Sequence, residues 1–228
     1  MRQVSSNWEV LAESFSFAGR AVVDVGCGTG DLVRWLCGQG ANVIGLDTPQ
    51  MLEKAESSPR AGSETYLSGG AEKLPLNDES ADLIIYFASL HHAPPDMLAD
   101  ALSECHRVLK PGGSAVFIEP VARPGSYYEI VRLIEDEAEI QKLAYAAICA
   151  ATRLGMRMVK EEFFFIERSF DDYVHLLNTF VDDEGKRETA IGQARIVTQG
   201  LAAQSGRRFD DFRFRSTCRL NILQKGDR

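Results

Sequence analysis

Three glycines spaced two apart, Gly26, Gly28 and Gly30, close an apolar run that begins at Val22, and the next apolar run ends on Asp47. Residues of these types in this order specify a nucleotide-type site. A glycine has no Cβ, so the chain can turn sharply from strand into helix and a ligand can lie against the backbone. The dinucleotide fingerprint puts its third glycine at position 31, which here is Asp31. The loop is therefore G-x-G-x-G followed at once by an acid where a helix begins. An acid there opposes a pyrophosphate and suits a ligand carrying positive charge.

The elements that must position these residues alternate from residue 20 to about 119, strand then helix with short connectors, which is the pattern of a parallel sheet. A helix from Asp31 carries Leu32, Trp35 and Leu36 on one face and ends at Gly38-Gln39-Gly40. The strand Ala41 to Leu46 follows. Thr48-Pro49 predicts an N-cap and a first helical proline, and Pro59 has ended that helix. A weaker strand is expected over Glu64 to Ser68, and the nearly continuous apolar run Ala81 to Phe87 predicts a strand buried on both faces. A helix from about Pro95 to Leu109 stops before Pro111-Gly112-Gly113, and Ser114 to Ile118 is the next strand, closed by Glu119-Pro120.

Beyond residue 120 the pattern is less punctuated. From Tyr127 to Leu154 no Gly or Pro interrupts a helical periodicity, and Ser126 to Glu129 reads as a capping box. The stretch exceeds a usual globular helix and is expected to be two, the first a lid over the site, with Arg123, Tyr127, Tyr128 and Arg132 at its entrance able to contact a substrate carboxylate or ring. A strand from Glu161 to Glu167, helices from about Ser169 and from about Gly185 to Gln204, and a strand near Thr217 to Gln224 complete the sheet. His175 lies beside an apolar stripe and is expected to be a surface or packing histidine. The whole, residues 1–228, is expected to be one domain with its core at 20–120 and the lid and sheet completion at 121–228. About 20 residues precede the first strand, too few for a large N-terminal lid.

Composition excludes several classes. The formal charge of -8 and the absence of basic runs longer than pairs argue against nucleic acid as substrate. No apolar stretch reaches the roughly 20 residues of a membrane span, and residues 1–8 lack the apolar run of a signal peptide, so a cytoplasmic protein is expected. Five scattered cysteines with no C-x-x-C pair suggest neither a disulfide framework nor a structural zinc site.

Residues 24–119 resemble the core of the class I S-adenosylmethionine-dependent methyltransferases. Four blocks carry the likeness in order: VVDVGCGTG at 22–30, VIGLD at 43–47, GGAEKLPLNDESADLIIYFASLHH at 69–92 and ECHRVLKPGG at 104–113. The resemblance implies an α/β, Rossmann-like seven-stranded sheet, mostly parallel with an antiparallel last strand, helices on both faces, and a helical lid insert after the fifth strand. It implies that S-adenosylmethionine lies across the carboxyl ends of the first strands, with Asp24 holding its positively charged amino-acid end. Gly26, Cys27, Gly28 and Gly30 would lie against the methionine portion, and Asp47 would accept both ribose hydroxyls, Thr48 beside it. Met51 or Leu52 could pack on the adenine face, the backbone of Ala71 could meet the ring edge, and Phe87 would lie beneath the methionine portion. Many relatives carry an acid just before Ala-Glu to accept the adenine amino hydrogens; here the segment is Gly70-Ala71-Glu72, which removes one adenine contact.

The chemistry implied is in-line displacement at a sulfonium methyl, for which alignment and exclusion of water supply most of the acceleration. Where the nucleophile must lose a proton, His91, His92 and Glu119 are the residues able to act as base near the carboxyl end of the sheet. Adjacent histidines cannot easily chelate one ion, so no metal is expected. No Asn- or Asp-Pro-Pro-aromatic motif follows the fourth strand and no Pro-Cys nucleophile is present, which leaves a small-molecule acceptor with an oxygen, nitrogen, sulfur or carbon nucleophile. Two alternatives remain: transfer of a non-methyl group from a derivative of the cofactor, and a non-catalytic regulatory module that binds it.

Overall fold

Val22, Val23 and Val25 are β-branched and stiff at χ1, and in the computed structural model they form the innermost part of a strand that enters the glycine loop. The structure describes residues 1–123, 127–132, 135–172 and 213–227, and the single positions 175, 192, 196 and 199. In chain order the strands are β1 (Arg2–Gln3), β2 (Ala21–Val25), β3 (Asn42–Asp47), β4 (Thr65–Ser68), β5 (Ala81–Phe87), β6 (Leu109–Pro120), β7 (Met156–Ser169) and β8 (Arg213–Lys225). The helices are α1 (Asn7–Ser14), α2 (Asp31–Gly38), α3 (Pro49–Glu56), α4 (Leu98–Val108), α5 (Tyr128–Val131) and α6 (Ala138–Ala150). Among the described residues no helix is long and apolar enough to cross a membrane.

The chain packs as two compact units. The larger comprises Ser6–Glu119, Ile140–Glu162 and Arg219–Arg228, and the smaller Met1–Ser5, Pro120–Glu139 and Phe163–Cys218, so β7 and β8 each run through both. In the larger unit the strand order is β7-β8-β6-β5-β2-β3-β4. Neighbours from β6 to β4 are parallel, with Asp24 of β2 beside Gly45 of β3 and Ile85 of β5. β8 runs antiparallel, as Gln224 on Gly112 at one end and Val121 on Thr217 toward the other require. The smaller unit holds one strand more than the sequence suggests: β1 pairs in parallel with β7, Arg2 beside Phe164, which makes eight strands rather than seven. Two residues are too short to leave a periodic signal.

Helices cover both faces of the larger unit's sheet. On one, Ile84 and Tyr86 of β5 and Ala115 and Phe117 of β6 pack against Leu98, Leu102 and Cys105 of α4 and Ala144 and Ile148 of α6. Tyr86 and Phe117 stack with ring centroids 5.1 Å apart. On the other, β3 passes so close to α2 that a Cβ on Gly45 would lie 2.9 Å from Val33. Here the absence of a side chain sets the helix-to-sheet distance.

Three places are instructive beside the sequence expectation. Leu109 to Gly113 is not a helix end but the start of β6: Asp82 of β5 faces the four residues 110–113, a bulge in which Lys110 pairs with the Asp82 carboxylate at 2.7 Å. The long helix expected from Tyr127 to Leu154 is indeed broken, and Asp136 breaks it. Its carboxylate accepts from the Ala138 amide at 3.1 Å and the Tyr128 hydroxyl at 2.8 Å, satisfying a free donor in the first turn of α6. Thr48 stands at the N-cap of α3 but makes no capping bond with its side chain. The capping residue Ser126 and the helix expected over 185–204 fall largely outside the described residues. His175 is exposed, beside Asp171 and edge-on to Phe170, a surface histidine.

Tyr86 is fully buried and its hydroxyl has no partner. A buried hydroxyl without a hydrogen bond costs about 1 to 3 kcal/mol in proteins. Tyr86→Phe, which keeps the ring stack on Phe117, is therefore expected to raise the urea midpoint by the equivalent of about 1 kcal/mol. A lower midpoint would mean that the hydroxyl is satisfied after all.

Candidate functional site

The site grows from the carboxyl ends of β2, β3, β5 and β6. Gly26 and Gly30 both hold positive φ, +74° and +80°, and both are closely approached: a Cβ on Gly26 would lie 2.5 Å from Ser89 Cβ, and one on Gly30 2.5 Å from the Tyr66 hydroxyl. These two glycines are fixed by the protein. Gly28 differs, since only Met51 Cε, 3.9 Å away, borders the space above it. That open side is where a ligand can meet the backbone.

Asp47 staples the loop to its own strand. Its Oδ2 accepts from the Gly28 amide at 2.8 Å and its Oδ1 from the Thr48 amide at 2.7 Å. Each oxygen retains a lone pair for a further donor. Asp24, one strand over, is 1% exposed, and its Oδ1 has no hydrogen-bond partner. Burial, then the charge of Asp47, pushes its carboxyl up to about 7. Two carboxylates side by side with an unsatisfied inner oxygen make a receptacle for a cation. Asp31 does not share in this: Thr29 and Arg34 bind its carboxylate at 2.8 and 2.6 Å and, the Thr29 hydroxyl first, hold it below its usual range. The positive-ligand preference thus comes from Asp24 and Asp47. Cys27 is 8% exposed with its thiol pushed up to about 12, chiefly by burial, so it lines the loop as an apolar group rather than a thiolate.

At residues 70–72 the backbone doubles back, Gly70 bridging to Lys73. The carboxylate of Glu72 lies over Gly70 in the space that a residue-70 side chain would need. A carboxylate therefore stands beside residue 70 although the residue there is glycine, which spacing alone does not disclose.

Glu119 at the end of β6 organises the turn after β5. Its Oε1 accepts from the Leu90 amide at 3.0 Å and the Ser89 amide at 3.3 Å, and its Oε2 binds His91 Nδ1. Ser89 Oγ in turn donates to the Val25 carbonyl at 2.5 Å. Ala88, between Phe87 and Ser89, has φ +48°, a conformation costly for a residue with a Cβ, and its amide is tied to the Ile118 carbonyl at 2.8 Å. His91 is 3% exposed, whereas His92 is exposed with its ring 4.1 Å from that of His91. A buried imidazole bound through Nδ1 to a carboxylate is the arrangement of a base with its orienting partner. Sequence singles out His91, His92 and Glu119 one by one; the contacts by which Ser89 ties Glu119 to the glycine loop it does not disclose.

Arg123, Tyr127, Tyr128 and Arg132 belong to the smaller unit. There Tyr127 is 7% exposed, stacked on Phe170 with centroids 5.8 Å apart and beneath the Arg168 guanidinium, its hydroxyl raised to about 12 mainly by burial. Arg132 pairs with Glu129 and Tyr128 donates to Asp136.

The sheet order, the glycine loop after the first core strand and the helices on both faces are those of the Rossmann-like methyltransferase fold. Residues 23–117 match the methyltransferase domain family. An uncharacterized methyltransferase of Synechocystis is 38% identical over 111 residues, 48% of this chain and 50% of its own. Malonyl-[acyl-carrier protein] O-methyltransferase of Pectobacterium atrosepticum is 37% identical over 116 residues, 50% of this chain and 44% of its own. The chain spans about half the length of these curated relatives. In fold it is similar to the YcgJ protein of Bacillus subtilis, with TM-score 0.65 at 19% identity over 97% of this chain and 98% of that one.

Because the Asp24 carboxyl is raised in the folded state, the stability it contributes is complete below pH 4, where both states are protonated, and is lost as the pH rises to about 7. Asp24→Asn is therefore expected to melt near the unsubstituted protein at pH 4 and clearly above it at pH 8. Thermal unfolding of the two ligand-free proteins across that range checks this; a difference independent of pH would show that Asp24 ionises normally.

Proposed function

We propose that the chain binds S-adenosylmethionine and transfers its methyl group to a small-molecule acceptor by in-line displacement. The observation that carries this reading is the buried, unpartnered Asp24 oxygen beside Asp47 and the open Gly28. Asp24 pairs with the ligand's ammonium group, which returns the carboxylate to its charged form. The amides of the Gly26–Gly30 turn and the start of α2 receive its carboxylate. Asp47, already held by Gly28 and Thr48, accepts from the ribose hydroxyls with its remaining lone pairs. Met51 packs on the adenine, Ala71 meets the ring edge and Glu72 accepts from the amino group. Phe87, at the end of β5, lies under the methionine portion.

When bound, the cofactor supplies a methyl group on a sulfonium whose departure leaves a neutral thioether. The protein's share is alignment, which in well-oriented systems lowers a barrier by about 7 to 11 kcal/mol, and removal of the acceptor's proton. His91 is the base and Glu119 its positioning residue; His92 lines the acceptor side. Glu119 also holds the Ser89 turn against the glycine loop, so it serves both halves of the site. A proton-losing nucleophile, oxygen above all, fits a histidine-carboxylate pair.

Titration calorimetry with S-adenosylmethionine and S-adenosylhomocysteine tests the reading most directly. Heat from both, lost in Asp24→Ala and Asp47→Ala, is expected; no heat and no thermal shift at millimolar concentration would sink it. With an acceptor in hand, His91→Asn is expected to lower kcat by about 10²- to 10⁴-fold with cofactor affinity unchanged. Glu119→Gln should lower kcat and weaken cofactor binding together, because it frees the Ser89 turn. Equal affinity in both variants would confine Glu119 to the histidine.

A further inference from the structure

We infer that Arg219 anchors a carboxylate carried by the acceptor, an inference that rests on the proposed methyl transfer only for calling the bound molecule an acceptor. Val121 donates to the Thr217 carbonyl at 3.0 Å across the antiparallel β6 and β8, which sets Arg219 directly opposite Glu119. Such a pair stands about 5.5 Å apart at the Cα atoms with both side chains on one face. Arg219 is thus two strands beyond the β5 turn, on the side away from β2 and β3.

Its surroundings are built but incomplete. Arg219 is 6% exposed, its Nε donates to Asn221 Oδ1 at 2.8 Å, and its guanidinium lies 3.5 Å from the centre of the Tyr145 ring. Asn221 Nδ2 and the Tyr145 hydroxyl both go to Glu161 Oε2, at 2.8 and 2.9 Å. Glu119 is occupied by Ser89, Leu90 and His91. The neighbouring acids therefore have donors of their own, and among the described residues the hydrogen bond of Arg219 runs from Nε to Asn221, with none from its terminal nitrogens. Arginine is almost never buried this fully without a pair. Burial lowers its pKa against the opposing pull of Tyr145, Glu161 and Glu119. Tyr145 fixes the plane, Asn221 fixes the rotation, and the two terminal N–H groups remain as a fork whose geometry matches a carboxylate.

The test uses the full chain with S-adenosylhomocysteine present and two matched pairs of probes, benzoate against benzamide and butanoate against butanamide. Each amide has the shape of its acid without the charge. At pH 7.5, ligand-observed NMR titration is expected to show each acid bound at least about tenfold more tightly than its amide. The preference should vanish in Arg219→Gln and survive in weakened form in Arg219→Lys. Equal binding of acid and amide by the unsubstituted protein overturns the proposal and needs no variant, so failure of a variant to fold does not shelter it. A preference that persists in Arg219→Gln overturns it as well. Absence of S-adenosylhomocysteine binding alongside a retained acid preference would instead count against the methyl-transfer reading alone.

Discussion

Asp24 and Asp47 lie at the ends of neighbouring parallel strands, and their mutual repulsion in a buried setting is the constraint around which the larger unit's site is arranged. Left to itself such a pair would sooner take up a proton than carry two charges. The protein deals with one of the two by giving Asp47 two backbone amides, and leaves the other with an unsatisfied oxygen. Everything nearby respects that asymmetry. Asp31 and Arg34 neutralise one another, Cys27 stays protonated, and no side chain of the loop competes for Asp24. The strain is kept where a positively charged ligand would relieve it.

A second set of contacts makes the site one object rather than several strand ends. Glu119 reaches back from β6 to the turn after β5, and Ser89 in that turn reaches on to the β2 carbonyl at Val25, against a glycine that has no Cβ to obstruct it. Three adjacent strands are thereby locked at their carboxyl ends, and the unfavourable φ of Ala88 is held in place by hydrogen bonds on both sides. Positioning groups held this rigidly is what alignment-driven chemistry asks of a scaffold.

The parts legible in the sequence were those written in local pattern. The strand-loop-helix at 22–38, the aspartate closing β3 and the doubly buried β5 follow from periodicity and from glycines at fixed spacing. What stayed hidden depends on partners distant in the chain. The bulge at Lys110 to Gly113 is set by Asp82, and its Pro-Gly-Gly signal reads equally well as a helix terminus. The break before α6 hinges on Asp136 acting as a cap within a run of acids that also suits a helix surface. Arg219 sits in an ordinary-looking strand; only the register with Glu119 and the ring of Tyr145 beneath it set it apart.

The carboxylate of Glu72 folded over Gly70 has a consequence for how this chain can change. A side chain at 70 would meet the carboxylate tip of Glu72, the far end of a flexible side chain, so Glu72 would have to turn aside to admit it. An acid introduced at 70 would set two like charges side by side and displace Glu72; the two positions are in contact, and their effects should not add. The glycine that looks like a loss in the sequence is thus what lets the Glu72 carboxylate lie back over residue 70.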